Sequence, residues 1–534
     1  MNAGVGKKLA TGIAAVTNNH ALFCHSVKFR QETDRSNPQT QDFGSALPYE
    51  AIPGPKPVPL IGNFWRFLPL IGSYPRDNQV ELVKKLKKRY GKIIKLSSLP
   101  GRPDIVIVCD PKDFEKIYRT EGIWPKRDAM PSYKYYRDHV RNDFFDGVGS
   151  MVTEQGREWH SIRNVANTPM LNPKVASKYI QPINEVASDF VERMTRIRGR
   201  DEMLPATFSN ELNKWALESV ALLAMDTRLG CLDDPESPES SDAHRLVEAV
   251  LTMMKLTYDL DVSPSPMSAF RRKEFNRAVD VQIDISMKYI NRCVERISRK
   301  EGESSETQSI LEHVLTTSNK TVACVVAIDM LHAGIDTTAR SMENALVHLS
   351  TNSRAQRCLR EELKLVLPEV DSPVSQEDVL KLPYLKACIK ESMRITPTAI
   401  GSLREVGKDV VLSGYQIPKG TVVAMYHVEA SNSPEEFPEP QKYLPERWLR
   451  DSEEAGRGDR AYAPSARNAN PFSFLPFGFG PRACIGQRFA NLEMEILLAK
   501  IFRRWKVTYD RDLQFQSKLL YGPATPLTFR LIDD

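Results

Sequence analysis

Phe477-Gly478-Phe479-Gly480-Pro481-Arg482-Ala483-Cys484-Ile485-Gly486 decides how this chain is read. Three glycines and a proline keep helix out of the segment, and the helical run RFANLEMEILLAKIFRRW follows it directly. Glycine reaches positive φ without steric cost and lets backbone approach a flat ligand closely, while Phe477 can wedge such a loop against a core. Cys484 then lies just ahead of a helix N-terminus, where free N–H groups and the positive end of the dipole favour a thiolate. A lone cysteine beside a glycine turn is more often an inert buried thiol, so the weight rests on the whole string.

Other constellations lie upstream. TVACVVAIDMLHAGIDTTARSMENALVHL reads as one long helix, apolar almost all round, which places it across the interior. A glycine inside a helix costs about 1 kcal/mol relative to alanine, so Ala333-Gly334 implies a use for small side chains there. Asp336 can carry protons, and Thr337 can hydrogen-bond a backbone carbonyl or a bound ligand. In YLKACIKESMRITP, Glu391 and Arg394 share a helical face and can pair, and Leu444-Pro445-Glu446-Arg447-Trp448 offers Arg447 as a third member. Trp159 and Arg163 stand four apart in WHSIR, and Arg404 precedes a strand signal beginning at Asp409.

Phe477, Gly480, Arg482, Cys484 and Gly486 reproduce FxxGxRxCxG, and the chain resembles the cytochromes P450 through them. The resemblance implies a mainly α fold with a smaller β region, in which a long central helix lies over heme b and a loop supplies the axial cysteine. Cys484 is then the iron ligand, whose thiolate pushes electron density toward dioxygen and favours O–O cleavage. The AGxDT pattern assigns proton delivery to Asp336 and Thr337. The ExxR pattern makes Glu391, Arg394 and Arg447 a structural network, and the positions of Trp159, Arg163, Arg404 and Arg482 reach the heme propionates. The motifs follow the family's order from Pro53 onward.

Composition bounds the remainder. The formal net charge is +5, but Lys7, Lys8, Lys28 and Arg30 precede the first acidic residue, Glu32. The rest is nearly neutral and gives no reason to expect nucleic acid. Eight scattered cysteines without CxxC pairs read as buried thiols in a reducing compartment. The acid-free, basic leader has transit-peptide chemistry and no apolar run near the ~20 residues of a membrane span. Residues 1–30 are therefore expected to be a mitochondrial transit peptide, 31–50 a polar linker and 51–534 the P450 domain. Strands are expected at Lys92–Leu96, Asp104–Cys109, Asp409–Tyr415 and Gly420–Ala424, with Ile417-Pro418 at the turn between the last two. Arg450–Pro471 reads as a solvated insert.

No flavin or nicotinamide domain follows Asp534 and no cysteine cluster could hold iron–sulfur, so a separate electron donor is expected. Resemblance to mitochondrial P450s assigns Lys386, Lys390 and Arg488 to an acidic adrenodoxin-type ferredoxin, itself served by an NADPH-dependent reductase. That class often carries two arginines after Cys-x-Gly, and here Gln487 takes the first place. Stretches such as GRPDIVIVCDPKDFEKIYRTEGIWPKR and RNDFFDGV resemble insect mitochondrial P450s of the family-twelve kind, associated with oxidation of lipophilic foreign compounds. By the same resemblance, Tyr133–Val148, Leu331–Ala333, Thr396–Leu403 and Leu519–Gly522 face the substrate. The leading expectation is a monooxygenase acting on a xenobiotic. An ecdysteroid-type steroid hydroxylase, a heme-thiolate isomerase and a heme-binding sensor are the alternatives. Leu256–Phe270 reads as a loop between two helices that can touch the inner-membrane surface.

Overall fold

Lys320–Thr351 is a single helix of 32 residues, opened by Asn319, whose side chain accepts the Val322 N–H at 2.9 Å. It is long and apolar enough to cross a bilayer, yet 72% of its most apolar window is buried inside the protein, which makes it a core element. The computed structural model describes residues 43–58, 62–67, 72–97, 103–233, 238–262, 268–299, 308–449 and 463–533. The central helix packs along Phe208–Met225, a helix buried over nearly its whole length. Pro383–Ile395 and Gln487–Arg504 lie against its other side. Pro238–Thr257 and Ser268–Arg299 pair with each other at the periphery.

The β part is small because few segments carry uninterrupted β-branched residues. One mixed sheet has the order Ile93–Leu96, Ile105–Val108, Val422–Met425, Ser402–Glu405, with the two middle strands parallel and both outer pairs antiparallel. Val106, Val108, Val423 and Met425 are fully buried and form the core of this lobe.

Three expectations are corrected. Asp409–Tyr415 is not one strand: Val410–Leu412 and Tyr415–Ile417 form a hairpin turning at Ser413-Gly414, both at positive φ, and Val422–Met425 belongs to the other sheet. Ser402–Glu405 was not anticipated as a strand because two of its four residues are charged. The folded region also begins before Ala51, since Leu47 donates to Gly414 O at 3.0 Å and accepts from Gln416 at 2.8 Å. The leader, residues 31–42 of the linker and residues 450–462 of the insert lie outside the described residues. Of Leu256–Phe270, Tyr258–Val262 is a π-helical turn rather than loop, with Tyr258 and Leu260 buried, while residues 263–267 lie outside the described set.

Candidate active site

The cysteine loop is held by its own backbone. Gly478 and Gly480 adopt φ of 73° and 76°, and the Cys484 N–H returns to Phe477 O at 2.9 Å. Gly486 caps the helix Gln487–Arg504, and the N–H groups of Gly486 and Gln487 bond the Cys484 sulfur. Of the described cysteines only Cys484 is exposed. Desolvation is nevertheless the largest influence on its thiol and pushes the pKa up. The two N–H groups, Arg163 and Arg127 oppose it. The helix terminus thus favours the thiolate as expected, without outweighing burial.

Beside the loop lies a concentration of guanidinium groups. Arg482 stacks on Trp159 at 3.9 Å and is pinned to Pro125 O, Glu154 O and Gln155 Oε1 at 3.1, 2.6 and 3.0 Å. Arg404 bonds Glu121 at 2.5 Å. Desolvation first, then repulsion from neighbouring arginines, lowers Arg482 to about 9 and Arg127 to about 10. Arg482 Nη1, Arg127 Nε and Trp159 Nε1 are buried without hydrogen-bond partners. Crowded cations with unsatisfied donors and one local carboxylate fit a ligand that brings further carboxylates, as heme does. Arg127 was not among the residues singled out from the sequence, since a lone Lys-Arg pair after a proline carries no pattern.

Arg163 also braces the cysteine loop: its Nη2 donates to Ala483 O at 2.6 Å and its Nε to Asn167 Oδ1 at 2.9 Å, while its charge is among those that lower Arg127 and Arg482.

On the central helix Ala333 is exposed, between buried His332 and half-buried Gly334. Thr337 donates to Ala333 O at 2.6 Å. Burial raises the Asp336 carboxyl pKa, with Arg340 opposing. The small residue at Gly334 has a packing use: a Cβ there would lie 2.6 Å from Val220 Cγ2, so its smallness admits the helix Phe208–Met225. Of the expected substrate segments, Tyr133, Tyr136 and Phe145 are buried, and His332 packs edge-on against Tyr133 at 5.1 Å.

On the cysteine side, Glu391 and Arg394 form a bidentate pair at 2.8 and 2.9 Å with no side-chain exposure. Arg447 Nε lies 3.3 Å from Glu391, and Trp448 Nε1 and the Leu444 N–H complete its bonding at 2.9 and 3.1 Å. A second node was missed: Glu446 binds Arg354 at 2.5 Å and Tyr384 at 2.9 Å. Lys390 and Arg488 are exposed and Lys386 half-buried, and among the described residues none of the three has an ion-pair partner within 4 Å. Burial and then the charge of Lys386 lower the Lys390 pKa, with Glu495 opposing, and desolvation raises Glu495 itself to about 7.

A cysteine loop opposite a small-residue break in a core helix, flanked by unsatisfied arginines, defines a heme-thiolate protein. The chain belongs to the cytochrome P450 family, whose model matches residues 52–523. It is a P450 monooxygenase, and the family binds heme through a cysteine thiolate. It is 38% identical over 497 residues to probable cytochrome P450 49a1 of Drosophila melanogaster, covering 91% of this chain and 82% of that one. It is 37% identical over 499 residues to probable cytochrome P450 12a5, mitochondrial, of the same fly, covering 91% of each. Cytochrome P450 CYP12A2 of Musca domestica is 36% identical over 510 residues, covering 92% and 93%. The resemblance to insect family-twelve P450s read from the sequence is thereby established.

Proposed function

We propose that this chain is a mitochondrial monooxygenase that receives electrons from an adrenodoxin-type ferredoxin and inserts one oxygen atom into a lipophilic foreign compound. The carrying observation is the set of unpaired cations Lys386, Lys390 and Arg488 on helices flanking the cysteine loop. Charges left unneutralised on one face steer an acidic partner and make its association salt-dependent. Mitochondrial names among the relatives support the compartment. Exposed Tyr135, Val140, Val262 and Phe270 beside Arg271 and Arg272 suit peripheral contact with the matrix side of the inner membrane.

When bound, heme supplies dioxygen activation and oxygen transfer. The chain's own contribution is positional. Cys484 would hold the iron, with the N–H groups of Gly486 and Gln487 at its sulfur setting its basicity. Arg127, Arg404, Arg482 and Trp159 offer donors to the propionates, while Arg163 keeps the loop carbonyl in place. Ala333 would leave room for the bound group, Thr337 would offer its hydroxyl, and Asp336, whose carboxyl pKa burial raises, would carry protons inward. Glu391, Arg394 and Arg447 fix the helix behind the ligand loop.

The test uses one preparation and two readouts. Reduced protein with carbon monoxide should give the long-wavelength Soret band of a thiolate-ligated carbonyl, lost in Cys484→Ala. Lys386→Glu/Lys390→Glu should keep that band but raise the ferredoxin concentration for half-maximal oxygen consumption by about tenfold at low salt. An unchanged ferredoxin dependence removes the donor assignment. Rejection of all but steroid substrates in a metabolite screen removes the foreign-compound assignment.

A further inference from the structure

Asp336 lines a hollow of about 190 Å³ that also takes in Leu519, Leu520 and Gly522 of the segment expected to face the substrate. Asp336 and Arg340 of the central helix form one wall, and Lys255, Tyr258 and the hairpin residues Lys518 and Gly522 form others. Lys255 is exposed and the Lys518 side chain is 42% exposed, so the hollow reaches the surface. Arg340 lies one helical turn beyond Asp336 and is held from three directions. Its Nη1 lies 2.7 Å from Glu343 Oε2 and donates to Pro523 O at 3.2 Å. Its Cδ lies 2.2 Å from where a Cβ on Gly522 would sit, so that glycine makes way for the arginine.

We propose that Arg340 is a positioning residue for Asp336, fixing its carboxyl on the wall of this hollow so that protons enter the active site from there. The proposal rests on the reading of Asp336 as the proton carrier. A buried carboxylate needs a nearby cation to ionise and needs water to exchange its proton, and this arrangement supplies both. Asp336, Arg340 and Glu343 fall on one face of the helix, Arg340 in contact with Glu343 and one turn from Asp336 on the same wall of the hollow. Desolvation raises both acids, and Arg340 opposes it in each. The other charged or titratable groups on the hollow are Lys255 and Lys518, both on its rim, and Tyr258, whose hydroxyl is taken by Arg76 O.

The test is infrared titration of heme-loaded protein, following the protonated-carboxyl band that disappears in Asp336→Asn. Arg340→Gln should raise the midpoint of that band by about one unit or more, and Arg340→Lys should bring most of it back. Gly522→Ala displaces the arginine without altering any charge and should move the midpoint in the same direction, which keeps the test open if Arg340→Gln does not fold. A parallel readout is the fraction of consumed dioxygen released as peroxide, which should rise in Asp336→Asn, and in Arg340→Gln with a shifted pH profile. If Asp336→Asn leaves peroxide release unchanged, the proton-carrier reading fails. If Asp336→Asn raises peroxide release while Arg340→Gln or Gly522→Ala leaves the midpoint where it was, the role of Arg340 is overturned.

Discussion

The two sides of the heme site are locked by different kinds of contact. On the cysteine side, the Glu391–Arg394 pair is made within one helical turn, and Arg447 and Trp448 join from a short segment downstream. On the substrate side the locks are long-range. Arg137 meets Asp329 at 3.4 Å across 192 residues of chain, and Asp329 also takes the Met151 N–H at 2.8 Å. Ser132 donates to Asp261 at 2.5 Å, and Tyr136 donates to Asp280, which Arg141 approaches at 3.2 Å. The Glu391 lock on the cysteine side is therefore assembled from short motifs and fully enclosed, while the loop itself is also braced from far along the chain by Arg163. The segment over the substrate region is pinned by three separate carboxylates from other elements, two of them near the surface.

The sharpest way to break this contrast is Glu391→Ala. It strands two guanidinium groups that have no solvent exposure, and breaking a buried pair in this manner costs about 3–5 kcal/mol. Loss of heme-loaded folded protein, or a denaturant midpoint shifted by that amount, is the expected outcome. A variant as stable as wild type would mean that Ser431 O and Pro440 O, which Arg394 also reaches at 3.0 and 2.8 Å, suffice to hold it.

What was legible in the sequence follows the same division. Cys484, Glu391 and Arg394 could be read because each belongs to a pattern a few residues long whose geometry is set by one loop or one helix. The long central helix was equally readable, from its apolar run. Arg127, Glu121 and Asp329 could not be read, because each gains its meaning from a partner far away in the chain. That Gly334 needs to be small was readable, but not why, because its neighbour is Val220, on another helix. The hairpin at Val410–Ile417 was read as one strand because its turn, Ser413-Gly414, is a dipeptide that interrupts the apolar pattern only briefly.

Asp329→Asn probes the other side and should cost about 2 kcal/mol, less than Glu391→Ala, because the amide still accepts the Met151 N–H and only the charge is lost. Proteolysis of the segment Pro131–Phe145 should accelerate in this variant while the cysteine side stays protected, and hydrogen exchange measured by mass spectrometry distinguishes the two. Equal loosening on both sides would show that the substrate-side segment is not an independent unit.

The smallest effect tests what the two sides share. Each holds a buried neutral imidazole: His332 against Tyr133, and His348 bonded to Thr396 Oγ1 at 2.8 Å and stacked on Tyr443. Burial first, then a neighbouring arginine, lowers both to about 4, against an ordinary value of 6.5. A folded-state pKa below the unfolded one means that the unfolded chain binds the proton first. The stabilisation is therefore complete above pH 6.5 and is lost as pH falls from there toward 4. Each histidine should lower stability by about 1 kcal/mol between pH 6.5 and 5.5. His332→Phe and His348→Phe should each flatten the slope of unfolding free energy against pH by that amount, and the double variant by the sum. A slope that responds to His348→Phe alone would mean that the substrate-side segment opens before global unfolding, so that His332 meets water in both states. The difference between the two sides would then be one of stability as well as of wiring.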